Sequence, residues 1–327
     1  MLVRRFLAHE IKLQSSQPLE SLNLTQLQEL HEKGLEAYRS GKIAEQGVSW
    51  LDVKKTLAYK LLEACNFCSH LCQVNRLTGQ TGYCQLKAAA QISGEYIHHG
   101  EEPAVGITHA IFFSGCTMHC LFCHNWRETF DLEKGLKTET QFLADQIIKR
   151  SQNAKIQSIS FIGGTPEPHL HILTELACLL STKVKLPWVF NNNATLSKEG
   201  LELMEGLIDI YLPDFKFGNA DCAWKLAKIS NYLPTVKANL KAYQAQKSEI
   251  LVRHLLMPGH LECCTLPILD NLAQEFDSIS LNLMGQYRPF YRALEIPALN
   301  QRPDPKDLKN AREKALALGI QLIENAR

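Results

Sequence analysis

The chain has 327 residues and is 45% hydrophobic, enough for one large core and a smaller appendage. Its 35 Lys and Arg nearly balance 34 Asp and Glu, and the net charge of +1 offers no basic footprint for nucleic acid or anionic lipid. No apolar run approaches the roughly 18 residues of a membrane span, and the start Met1–Glu10 meets Arg4 and Arg5 before a secretory apolar region could form; a soluble cytoplasmic protein is expected.

Residues 1–105 read as an amino-terminal helical region. Thr25 with Gln28 suggests a capping box, Leu24, Leu27, Leu30, Leu35 and Tyr38 keep helical spacing, and Ser40-Gly41 ends the helix. A second helix starts near Ser49, with Trp50, Val53, Leu57 and Leu61 on the face expected to pack on the body. It leads to Cys65, Cys68, Cys72 and Cys84, spaced C-x2-C-x3-C-x11-C, with Gly79 and Gly82 for tight turns. Four thiols close a coordination sphere, so this group suits a complete iron–sulfur cluster or a structural zinc.

Residues 106–286 alternate between strands and helices. Strands are expected at Ile111–Phe113, Ile159–Ile162, Trp188–Phe190, Ile208–Leu212, Ile250–His254 and Ile279–Met284. Helices are expected over 138–150, with apolar Phe142, Ile147 and Ile148, and over 169–181, 197–206, 219–246 and 264–275. Six such units give an α/β fold, a partial or closed parallel (β/α)6 barrel, with residues 287–327 as an extension packing on it. The polar and glycine signals fall where strands stop, the end of a barrel that carries function.

Eleven cysteines are the compositional oddity, and clustered thiols in a reducing compartment read as metal ligands. Cys178, Cys222, Cys263 and Cys264 are scattered in sequence and are expected to be small structural apolar residues. Directly after the first strand of the body, Cys116, Cys120 and Cys123 stand at C-x3-C-x2-C. Three soft thiolates suit an iron–sulfur cluster or zinc, and a cube of four irons held by three of them keeps one iron open. The competing possibility is a Cys3His zinc site that uses His119 or His124, although sequence neighbours such as Cys123 and His124 rarely face one ion together.

The C-x3-C-x2-C loop resembles the cluster motif of the radical S-adenosylmethionine (SAM) superfamily, and Cys123-His124-Asn125 resembles the activating enzymes of glycyl-radical enzymes. Gly163-Gly164-Thr165-Pro166 is similar to the family's Gly-Gly-Glu-Pro, with Thr165 in the acidic position and Glu167 close enough to compensate. The resemblance places Asn193, Asp214, Lys216 and His254 at SAM, alongside the Gly163-Gly164 backbone. His99–Pro103, Gln286–Pro289 and the Cys65–Cys84 group resemble the branch named after pyruvate formate-lyase activating enzyme; Tyr287 either covers the site or packs. The resemblance implies a [4Fe–4S] cluster on Cys116, Cys120 and Cys123, with SAM as cofactor and reduced flavodoxin or ferredoxin as donor. It also implies hydrogen abstraction by a 5′-deoxyadenosyl radical, from a glycine of a glycyl-radical enzyme or else from a small molecule or peptide. The rival class is a non-catalytic iron–sulfur or zinc protein.

Overall fold

From Thr108 onward, short β-branched and aromatic runs alternate with helices, and each strand returns parallel to the last through a crossover. The structure, a computed structural model, describes residues 4–42, 46–133, 135–277 and 279–324; Met1–Val3 of the charged start lie outside them. Its amino-terminal layer holds α1 (Arg4–Glu10), β1 (Lys12–Leu13), α2 (Leu24–Ser40), β2 (Val48–Ser49) and α3 (Trp50–Leu61). The body follows with β3 (Ala90–His98), β4 (Thr108–Phe113), α4 (Trp126–Phe130), β5 (Leu136–Thr138), α5 (Thr140–Ser151), β6 (Ser158–Gly163) and α6 (Leu170–Leu180). Next come β7 (Trp188–Asn192), α7 (Lys198–Met204), β8 (Ile210–Pro213), α8 (Ala220–Ala227), α9 (Tyr232–Ala245) and β9 (Glu249–Leu255). The chain ends with α10 (Leu266–Glu275), β10 (Ser280–Met284), α11 (Pro305–Ala317) and β11 (Gln321–Leu322).

The strands form one nine-stranded sheet in the order β11-β10-β9-β8-β7-β6-β4-β3-β5. Neighbours from β4 to β11 are parallel, whereas β3 runs antiparallel to both β4 and β5. The sheet has two ends, so the barrel is partial rather than closed. Sequence periodicity misses β3 and β5, whose outer positions are half-exposed, and the two-residue β11.

Several expected boundaries move. The capping box belongs to Asn23 and Gln26, whose side chains bond each other's backbone N–H, and Gly41 ends α2 in the left-handed region at φ 69°. The single helix expected over 219–246 is two, because Lys228 (φ 54°) and Asn231 (φ 51°) turn left-handed between α8 and α9. Phe142 is 57% exposed rather than core, while Leu143, Ala144 and Ile147 supply the buried face of α5. As expected, Ser49 caps α3, which buries Trp50, Val53, Leu57 and Leu61 and lies along α6.

Side-chain alternation divides the sheet into an outer and an inner face. Trp188, Phe190, Tyr211 and Val252 join the large core beneath the helices. Val189, Ile210, Leu212 and Leu251 face inward, where Val105 packs among them. The segment before β4 therefore enters the barrel and fills the gap that the open sheet leaves. Glu102 anchors it: Oε1 accepts from Arg253 Nε (2.8 Å) and Asn282 Nδ2 (2.7 Å), and Oε2 accepts from Arg253 Nη2 (2.6 Å). Arg253 also pairs with Glu101, and Val105 O accepts from Ser158 Oγ (2.8 Å). At the start of the strands, the buried Arg5 guanidinium bonds Asp209 Oδ2 (3.3 Å) and lies 4.2 Å from the centre of the Trp188 ring, tying α1 beneath the barrel.

Burial alone would raise the Glu102 pKa, but the Arg253 bonds and charge outweigh it and hold the carboxyl below its ordinary 4.5. A depressed acid stabilises the fold above its unfolded value and loses that contribution as pH falls through its folded one. Glu102→Gln should cost about 3 kcal/mol at pH 7, the low end of the range for a broken buried pair because Glu101 remains. In urea titrations, the gap from wild type should narrow below about pH 4.

Candidate metal and cofactor site at the strand ends

Each loop at this mouth is placed by the strand it leaves. After β4, Gly115 turns at φ 77° and opens the loop that carries Cys116, Cys120 and Cys123. A short path to this loop is possible because β6 ends in glycine. A Cβ on Gly163 would lie 2.2 Å from Phe113 O, and one on Gly164 would lie 2.0 Å from Gly115 O. Gly164 N–H donates to Phe113 O (2.9 Å) and Thr165 N–H to Gly115 O (3.1 Å), so β6 is laced directly to the thiol loop. Gly164 O stands 3.5 Å from Cys116 Sγ, and Gly163 O 3.4 Å from Asn125 Nδ2.

Asn193, after β7, bridges the thiols to the next strand end. Its Nδ2 donates to Cys116 Sγ (3.2 Å) and Thr117 Oγ1 (3.1 Å), while its Oδ1 accepts from Lys216 Nζ (2.8 Å). Lys216 Nζ also donates to Asp214 Oδ2 (2.5 Å), the two residues following β8. Four of the residues singled out from sequence thus form one connected set: Cys116, Asn193, Lys216 and Asp214. Burial would lower the Lys216 pKa, yet Asp214 and the nearby Cys120 and Cys116 sulfurs outweigh it and hold the ammonium above its ordinary value.

Burial pushes the Cys116 thiol up to about 12, raises Cys123, and holds Cys120 well above the usual thiol range. Thiols buried this deeply ionise when positive charge is held among them, which is what iron or zinc supplies. The donor set is therefore suited to a metal group, with one ammonium and one amide beside it.

His254 lies elsewhere. It alternates with Arg253 onto the helix-facing side of β9, where Nδ1 bonds Phe215 O (2.7 Å) and Nε2 bonds Thr265 Oγ1 (2.8 Å). Burial lowers its pKa to about 4. Glu167 is also committed to protein partners rather than standing free in place of the acidic residue that Thr165 lacks. Its Oε2 accepts from the hydroxyls of Thr117 (2.8 Å), Thr195 (2.9 Å) and Thr165 (3.0 Å), and its Oε1 from Thr195 N–H (2.7 Å). Tyr287 is buried, bonds Leu299 O (3.0 Å) and packs beside Phe122 at 6.2 Å between ring centres.

The Cys65–Cys84 loop lies against the thiol loop. His70 and Tyr83 stack at 3.7 Å, Tyr83 and His119 at 4.2 Å, and His70 Nε2 bonds Thr117 O (2.8 Å). Gly82 is needed at Cys72, because a Cβ there would sit 2.7 Å from its sulfur. Around these cysteines Leu71, Gln73 and Gln85 take positive φ, a concentration of backbone strain typical of functional loops. Burial raises the Cys68 and Cys84 thiols above their ordinary value. Sequence reasoning missed the aromatic stack and the Thr117–Thr195 contact, because both join residues far apart in the chain.

An open parallel barrel with a C-x3-C-x2-C loop at the carboxyl end of its first parallel strand is the arrangement of a radical SAM protein. Residues 110–272 match the Radical SAM superfamily, and the chain belongs to that superfamily, which uses a [4Fe–4S] cluster and SAM. An uncharacterized protein of Methanocaldococcus jannaschii is 36% identical over 315 residues, spanning 93% of this chain and 91% of its own length. Pyruvate formate-lyase-activating enzyme of Listeria monocytogenes is 26% identical over 240 residues, 68% of this chain and 91% of that protein. A radical SAM methyltransferase from Sphaerobacter thermophilus is structurally similar with a TM-score of 0.47 and 13% identity over 93% of both chains. Among the described residues, no helix is long and apolar enough to cross a membrane.

Glu167→Ala would strip three hydroxyls and an amide of a shared acceptor; at about 1–3 kcal/mol per unsatisfied buried group, a loss of roughly 3 kcal/mol or more is expected. Denaturant midpoints check this, and a midpoint equal to wild type would show that the carboxylate does not hold the three loops.

Proposed function

We propose that this chain binds a [4Fe–4S] cluster through Cys116, Cys120 and Cys123 and holds SAM against its fourth iron, to abstract hydrogen from a glycine backbone of a partner protein. The carrying observation is the chain of contacts from Cys116 Sγ through Asn193 to Lys216 and Asp214, which sets a charged lysine directly beside the thiols. When bound and reduced, the cluster and SAM together supply a 5′-deoxyadenosyl radical, the hydrogen-abstracting agent of the family.

The protein's own residues bind, orient and shield. Cys116, Cys120 and Cys123 would hold three irons of the cluster, and the amino acid end of SAM would bind at the iron left without a protein ligand. Lys216 sits where it can neutralise that carboxylate, and Asp214 fixes the direction of its ammonium. Gly163 and Gly164 bring backbone carbonyls to the edge of the loop without side chains in the way. His254, with both ring nitrogens bonded to protein, acts as a positioning residue that joins Phe215 to the segment after β9. Cys65, Cys68, Cys72 and Cys84 supply four ligands for a closed second site, an iron–sulfur cluster or zinc. No acid–base pair is required, because the cofactor carries the hard chemistry. The glycine substrate rests on the Listeria relative, and reduced flavodoxin or ferredoxin is the matching electron donor.

With dithionite and SAM under anaerobic conditions, wild type should form 5′-deoxyadenosine, and Cys120→Ala should fall to the protein-free background while keeping its circular dichroism. Equal turnover in the variant would remove the ligand assignment. Lys216→Met should weaken SAM binding by roughly tenfold to a hundredfold, the loss of a charged hydrogen bond of about 1.5–3 kcal/mol. Equilibrium binding to the reconstituted protein measures it. Incubation with glycyl-radical enzymes, read by electron paramagnetic resonance, tests the substrate.

A further inference from the structure

Three of the four scattered cysteines are not isolated apolar residues. Cys178 stays apart, but Cys222, Cys263 and Cys264 meet around His260, with their sulfurs and His260 Nδ1 all within 4.8 Å of one another. Cys263 Sγ and Cys222 Sγ are 3.2 and 3.6 Å from that nitrogen, and Cys264 Sγ is 3.8 Å from it. The sulfurs of Cys222 and Cys263 are 3.9 Å apart, and those of Cys263 and Cys264 are 4.0 Å apart. Zinc–ligand bonds of about 2.0–2.3 Å put tetrahedral corners about 3.3–3.8 Å apart, close to this set. An iron–sulfur cube needs a wider opening between its ligands.

We propose that Cys222, His260, Cys263 and Cys264 form a structural Cys3His zinc site that fastens the start of α8 to the turn after β9. Adjacent cysteines rarely serve one ion, and the backbone here supplies the reason that they can. Leu261–Thr265 is a π-helical turn, wider than an α-turn and typical of functional positions, and it brings both sulfurs to the same side. Gly218 lets the two segments touch, since a Cβ there would lie 2.5 Å from Cys264 O. Asn219 supports the ligands from behind: its Nδ2 donates to Cys263 O (2.6 Å) and Cys222 Sγ (3.3 Å), while its Oδ1 caps Cys222 N–H (2.8 Å). Four protein ligands leave no open position, which makes the role structural rather than catalytic.

The site also has a route to the mouth. Cys222 lies in the first turn of α8, and at the other end of that helix Leu226 O and Ala227 O accept from the thiol-loop N–H groups of Leu121 (2.8 Å) and His119 (2.9 Å). Thr265, which ends the π-turn, holds His254. Zinc therefore fixes a helix that braces the Cys116–Cys123 loop.

The test is metal analysis of the full-length protein prepared anaerobically. Cys222→Ala should carry one zinc per chain less than wild type with iron and sulfide unchanged, and Cys178→Ala should match wild type. Unchanged zinc in Cys222→Ala, or loss of iron instead, would overturn the site. Wild type supplies a readout that needs no variant to fold. Alkylation mapped by mass spectrometry should label Cys222, Cys263 and Cys264 only after a zinc chelator is added. Labelling that is equal with and without the chelator, or a native disulfide among the three, would also overturn it.

Discussion

One buried carboxylate holds this site in shape. Glu167 has no exposure to solvent, and it accepts from Thr117, Thr165 and Thr195, which lie on the loops after β4, β6 and β7. A buried carboxyl group needs hydrogen-bond partners to offset its lost hydration, and here the donors come from three different loops. The loops consequently cannot move independently, and Cys116, beside Thr117, is located by the same bonds that fix Asn193, two residues before Thr195. The glycine-lined contact between β6 and the thiol loop works alongside it, because no side chain at Gly163 or Gly164 could share that space.

The open sheet poses a second constraint. A barrel with free edges exposes its lumen, and the remedy is internal. Residues 101–105 fold into the gap, Val105 among the inward apolar residues and Glu102 clamped between β9 and β10. Arg253, bridged to Asp214 near the carboxyl end of β9, is thereby committed to this inserted segment, while Lys216 lies beside the thiols.

Much of this was legible in the sequence, for physical reasons. The parallel strands announce themselves as apolar runs because both of their faces are covered, and the mouth residues follow them in a regular order. β3 and the edge strand β5, half-exposed, carry no such pattern. The join between α8 and α9 depends on left-handed Lys228 and Asn231, neither of which marks a break as a glycine would. Thr165 in the usual acidic position drew attention to Glu167 as a substitute, yet only the fold reveals its threonine partners. Cys222 and Cys263 are 41 residues apart, with no ligand spacing to connect them, so their meeting with His260 is a product of tertiary structure alone. The spacing of Cys65, Cys68, Cys72 and Cys84 suggested a metal site; the packing of their loop against the first thiol loop through His70, Tyr83 and His119 was not legible.

The central claim is an iron kept open beside Lys216 and Asn193 for the amino acid end of SAM. Its most direct measurement is electron–nuclear double resonance on the anaerobic, dithionite-reduced protein with SAM labelled with nitrogen-15 at the methionine amino group. Direct coordination predicts a nitrogen-15 hyperfine coupling to the cluster spin and a changed cluster spectrum when SAM is added. A reduced cluster whose spectrum is the same with and without SAM, and without that coupling, would contradict it.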